Sequence, residues 1–100
     1  MRGIIIEPDD GATIVRLPDT QEGLQRLLGG NVQCRPFGRY FAALLYSDHA
    51  GQAMPSRHYL GQWYYGRLVI VGWRNNRLTA LDKDTADELV GKWSGTEVQA

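Results

Sequence analysis

The chain reads as one α+β domain, a mixed or mostly antiparallel sheet with two or three helices packed on one face. Three observations predict it. Short β-branched and apolar runs recur between turn residues. Two segments repeat apolar residues at helical spacing. The helical segments separate groups of strands that carry hairpin signals, which suits a layered α+β arrangement. With 100 residues, 43 % hydrophobic and 22 % charged, the chain has ordinary globular usage and is long enough for one core. Residues 1–93 are assigned to the domain, and the small polar residues 94–100 to a flexible tail.

Gly3 to Glu7 contains three consecutive isoleucines, a β-branched run that suits a buried strand. Pro8-Asp9-Asp10-Gly11 is turn chemistry. Ala12 to Leu17 then forms a hairpin partner, with Ile14 turned away from Val15 and Leu17. At Pro18-Asp19-Thr20-Gln21-Glu22 a helix starts, with Asp19 as cap and Glu22 reaching back. Leu24, Leu27 and Leu28 make its apolar stripe, and Gly29-Gly30 ends it.

Val32 to Pro36 places Val32 and Cys34 on one face, and Pro36 marks the end of a strand or a sheet edge. Phe37-Gly38-Arg39 is a turn. Tyr40 to Tyr46 is almost wholly apolar and reads as a central strand, followed by a polar loop over Asp48 to Ala53. Met54 to Gly66 is assigned one short helix opened by Pro55-Ser56, with an extended segment as the alternative. Leu68 to Trp73 is another apolar strand, and Arg74-Asn75-Asn76-Arg77 a turn, because asparagine tolerates positive φ. Leu78 to Leu81 pairs back briefly or runs straight into the last helix. That helix is capped by Asp82, with Ala86, Leu89, Val90 and Trp93 as a clean apolar stripe. Asp84, Asp87 and Glu88 suit its N-terminal dipole better than a metal.

The net charge of zero hides a pattern. Residues 1–22 carry two arginines against five acids, residues 23–81 seven arginines against Asp48 alone, and residues 82–100 two lysines against five acids. The segments therefore stand at −3, +6 and −3. The basic middle also holds nine of the ten aromatic residues, all but Trp93. Arginine presents a planar fork to carboxylates and phosphates and stacks on rings.

Within this middle, Arg57-His58-Tyr59 and Trp63-Tyr64-Tyr65-Gly66-Arg67 are the densest cluster. Three consecutive aromatics cannot all face inward on a strand, where Trp63 and Tyr65 share one face and Tyr64 takes the other. The expected binding surface is therefore Arg57, His58, Trp63, Tyr64, Tyr65 and Arg67, with Arg35 and Arg39 adding positive potential.

Catalytic grammar is thin. One cysteine, Cys34, excludes an internal disulfide and a multi-cysteine metal site. His49 and His58 are the only histidines. Cys34 reads as a buried thiol beside Val32 and not as a nucleophile, and no nucleophile elbow or phosphate loop occurs. The expectation is a non-enzymatic protein with no cofactor and no metal.

The order of short motifs along the chain resembles a family of roughly hundred-residue proteins encoded by phages, prophages and conjugative elements of bacteria, known only as a domain of unknown function. The likeness runs from Gly3-Ile4-Ile5-Ile6-Glu7-Pro8 through Leu24-Gln25, Gly29-Gly30, Pro55-Ser56-Arg57 and Val69-Ile70-Val71-Gly72 to Leu81-Asp82. Family members have asparagine where this chain has Ser56, so Arg57 is the one position carried over as a candidate site. The resemblance implies a small α+β fold and a mobile-element origin, and brings no activity with it.

Together these readings lead to an accessory protein that binds a host or defence protein in the bacterial cytoplasm through an arginine and aromatic patch, with a counter-defence role. The alternative is a binder that sequesters an anionic nucleotide or nucleotide signal. Self-association into a homodimer is expected from the opposed charge segments. No apolar run spans a membrane. Neutral charge and a pI near 6.7 argue against DNA.

Overall fold

Two neighbouring strands form the centre of the sheet, β4 (Phe41–Tyr46) and β7 (Leu68–Arg74). The computed structural model describes residues 1–8, 11–46, 57–94 and 96. Within them, Ala42 to Leu45 and Leu68 to Gly72 are buried without a break. Successive strand residues point to opposite faces, so an unbroken apolar run needs cover on both.

Outward from β7 come β1 (Arg2–Ile6) and then β2 (Ala12–Arg16); outward from β4 comes β3 (Val32–Phe37). Ile4 faces Ile70 across the β1–β7 ladder, and Leu44 faces Val69 across β4–β7. The short β8 (Arg77–Thr79) pairs with the far end of β7. Every ladder among the described residues is antiparallel. Pro36 sits on the edge strand, where its missing N–H costs no ladder bond.

The helices α1 (Gln21–Leu28) and α2 (Lys83–Trp93) cover opposite faces. Leu24 and Leu28 of α1 pack with Ala42, Leu44, Val69 and Val71. Ala86, Leu89 and Trp93 of α2 pack with Ile4, Ile6, Ala43, Leu45, Leu68 and Ile70. Helices on one face were expected; the wholly apolar central strands require the three-layer arrangement instead. Ile14 lies on the α2 face and Val15 and Leu17 on the α1 face, the alternation expected of that strand. Burying each Leu, Ile or Val side chain contributes about 1.5–3 kcal/mol. Such burial stabilises an eight-residue helix that would be marginal alone.

Capping follows local chemistry. Asp82 accepts from the Thr85 N–H at 2.8 Å, and that bond holds its carboxyl below the usual range. For α1 the cap is Thr20 and not Asp19: its Oγ1 accepts from the Gly23 N–H at 3.0 Å. Asp19 instead meets the Met1 ammonium at 2.9 Å. Gly29 ends α1 at φ 98°, a left-handed position that suits glycine. In the turn between β7 and β8, Asn75 and Asn76 take φ 51° and 61°.

Residues 57–64, assigned a short helix with an extended segment as the alternative, take the extended form and make a second small sheet. β5 (Arg57–Tyr59) and β6 (Gln62–Tyr64) pair through a Leu60-Gly61 turn, with φ 49° and 77°. Met54-Pro55-Ser56, and the expected loop over Asp48 to Ala53, lie outside the described residues, as do Asp9 and Asp10 of the first turn. The hairpin lies over the α2 face through rings. Tyr59 stacks on Trp93 at 4.2 Å between centroids, and Phe37 and Tyr64 meet the same indole edge-on. The beginning of the expected tail is tied down as well. Ser94 bonds back to Val90, and the Thr96 carbonyl accepts from the His58 N–H at 3.0 Å. Gly95 and residues 97–100 lie outside the described residues.

Trp93 should therefore dominate stability. Trp93→Ala is expected to cost about 3–5 kcal/mol in urea unfolding. Its buried Nε1 has no hydrogen-bond partner, so Trp93→Phe should cost clearly less; equal losses would contradict this packing account.

Candidate functional site

The eight residues expected to form one binding face occupy separate environments. Arg57 and Tyr64 are each 1 % exposed. Arg57 donates to the Glu7 carbonyl at 3.1 Å and lies 3.5 Å from the Trp93 carbonyl. It stitches β5 to the end of β1 and the last turn of α2. Tyr64 packs against Trp93 and takes the Arg35 guanidinium over its ring at 5.5 Å. Burial pushes its hydroxyl up, an effect Arg35 partly offsets. Both residues are corrected from surface to core, because alternation on so short a hairpin must send one face inward.

Arg67 is also a clamp. Its Nε lies 2.8 Å from Glu7 Oε1, and its Nη1 donates to the Leu27 carbonyl at 2.9 Å. It thereby satisfies one of the last carbonyls of α1. Arg39 stands at the opposite end of the sheet, in the β3–β4 turn beside Tyr40 and Arg74. Arg67 and Arg74 flank a strand of seven residues, a span of roughly 20 Å. The single outward face is therefore corrected: Arg39 and Arg67 stand at opposite ends of the sheet, and Arg67 is held by Glu7 and the Leu27 carbonyl. Tyr65 is half-buried.

Three of the eight do come together at the surface. His58 and Trp63 oppose each other on the outer side of the β5–β6 hairpin, their rings 4.4 Å apart. Arg35, from β3, donates Nη1 to the Trp63 carbonyl at 2.7 Å. Trp63 is 48 % and Leu60 66 % exposed. The sequence pattern missed Leu60. A leucine at φ 49° occupies a left-handed conformation that costs an L-residue about 1–2 kcal/mol, and it does so while about two thirds of it is exposed to water. Such strain is characteristic of recognition sites.

A second feature was missed altogether. α1 covers only part of its face, and beside it lies a cleft of about 750 Å³. Cys34 lines this cleft together with Val32, Leu44 and Trp73. The two β3 residues share a face as expected, but the thiol is exposed and not buried, because β3 is an edge strand that a two-turn helix cannot cover. Neighbouring atoms still desolvate the thiol enough to push it up. Cys34 opens on the α1 face, whereas His58 lies on the hairpin over the α2 face, so the two do not form a nucleophile and base. His49 lies outside the described residues. Among the described residues no cluster of three metal-ligating side chains occurs, and no helix is long and apolar enough to cross a membrane.

Two measurements check these assignments. Arg57→Lys should destabilise the fold by about 1–3 kcal/mol through carbonyls left unsatisfied; an unchanged unfolding midpoint would return Arg57 to the surface. Cys34 alkylation should be slower at pH 7.5 than that of a free thiol. The midpoint of its rate against pH should lie above that of a free thiol measured alongside; a midpoint at or below the free thiol's would contradict a raised thiol. The chain matches no protein-family model, no curated protein and no solved structure, so its function is read from these side chains.

Proposed function

We propose that this chain is a non-enzymatic accessory protein of a phage or other mobile element, and that it docks on a host or defence protein in the bacterial cytoplasm through its β5–β6 hairpin. One observation carries the reading: a rigidly held hairpin presents Leu60 and Trp63 to solvent, with Leu60 at φ 49°. Tyr64, Tyr59 and Arg57 anchor the inner side of the hairpin in the core, so the knob arrives pre-organised and little entropy is lost on docking. A half-exposed tryptophan beside an arginine is a common anchor of recognition. Arg35 adds positive charge at the rim, and no carboxylate among the described residues forms an ion pair with it. The fitting partner surface is an apolar pocket edged by acids. The likeness to mobile-element proteins supplies the biological setting, and counter-defence is the role such a blocking contact would serve.

The test pairs stability with capture. Leu60→Asn should raise stability by about 0.5–1 kcal/mol, since asparagine accepts positive φ more readily. Leu60→Asn and Trp63→Ala should both remove a host protein that the wild-type chain recovers from bacterial lysate. Recovery that is unaffected by both substitutions would refute the hairpin as the docking element. Light scattering at twice the 11.2 kDa chain mass, abolished by Trp63→Ala, would instead assign the knob to a second copy of this chain.

A further inference from the structure

The geometry points to a second binding site, on the face of the sheet opposite the hairpin, for a small ligand of the nucleotide class: a flat heteroaromatic ring joined to an anionic group. α1 has eight residues and so a length of about 12 Å. It leaves the β8 side of its sheet face uncovered. The resulting cleft of about 750 Å³ is of the size that encloses small ligands. Its floor is apolar, with Leu44 buried and Val32, Trp73 and Leu78 half-buried. Gln21 and Asn76 add amide groups to the lining.

Trp73 and Asn76 also line a neighbouring cavity of about 380 Å³ that contains Arg39, Tyr40 and Arg74. The two cavities therefore adjoin at Trp73 and Asn76, and because Arg74 follows Trp73 on the strand and springs from the other face, a ligand reaches the arginines around the end of the sheet. These groups invite an anion. Arg74 lies over the Tyr40 ring, its Cζ 5.0 Å from the centroid. Across the β7–β8 ladder it is paired with Arg77, and like charges placed opposite each other repel. Among the described residues no carboxylate forms an ion pair with Arg39, Arg74 or Arg77. A phosphate would meet their planar donors and relieve the repulsion. The chemistry of the cleft selects the rest of the ligand. An aromatic base can stack beside Trp73 and use the exposed Asn76 and Gln21 amides through its polar edge, which an alkyl chain cannot.

Calorimetric titration of the full chain with the four ribonucleoside monophosphates tests the site, with adenosine, inorganic phosphate and dodecanoate as comparison ligands. At least one nucleotide should bind with Kd below about 1 mM, and its nucleoside and phosphate alone at least about tenfold more weakly. Arg39→Gln and Arg74→Gln should each weaken the nucleotide about tenfold, and saturating nucleotide should slow alkylation of Cys34. Trp63→Ala should leave this affinity unchanged, so the result is independent of the hairpin reading. No nucleotide binding below about 1 mM, affinity that survives both arginine substitutions, or binding of dodecanoate alone would each overturn the assignment.

Discussion

The indole of Trp93 is the contact on which the rest of the molecule rests. It ends α2, fills the α2 face of the sheet against Phe37, and takes Tyr59 and Tyr64 of the hairpin on its other sides. Its backbone carbonyl lies beside Arg57 and also accepts from the Thr96 hydroxyl. Helix, sheet and hairpin thus share one completely buried side chain. Aromatic contacts of this kind contribute beyond their buried area. The same contact fixes the direction in which the hairpin's outer side faces.

The hairpin shows how a charged residue can be spent on architecture. Arg57 looks like a binding residue by type and by its neighbours, yet it is enclosed and bonded to carbonyls from β1 and α2. Burying a guanidinium is costly unless its donors are met, and carbonyls from two distant segments receive its two terminal nitrogens here. Arg67 does comparable work at the end of α1. Arg35 bonds the Trp63 carbonyl yet stays at the rim of the hairpin, and Arg39 and Arg74 stand at the sheet end. The +6 of the middle segment is consequently distributed over both faces and does not gather into one field.

The two faces differ because their covers differ. α2, the hairpin and Thr96 together close one side of the sheet. The other carries a single two-turn helix, and the strands beneath it run past its end. That mismatch in length leaves the cleft, exposes Cys34 and half-exposes Trp73. A three-layer domain of this size can afford an open side because β4 and β7 are already sealed over most of their length, with only the β8 side and the edge strand left bare.

Local chemistry was legible in the sequence. The isoleucine run of β1, the asparagine turn, the Asp82 cap, the Gly29 stop and the stripe of α2 follow from propensities, φ preferences and spacing within a few residues. The surplus of aromatics around residues 59–65 was legible too, though not which rings would be buried. What only the tertiary structure decided involves partners distant along the chain: the assignment of the helices to opposite faces, the burial of Arg57 and Tyr64, the exposure of Leu60 and Cys34, and the meeting of Arg39 with Arg74. Each depends on strand order and on how far one element reaches over another. Periodicity reports which side of an element is apolar, whereas the object packed against that side is chosen by long-range contacts.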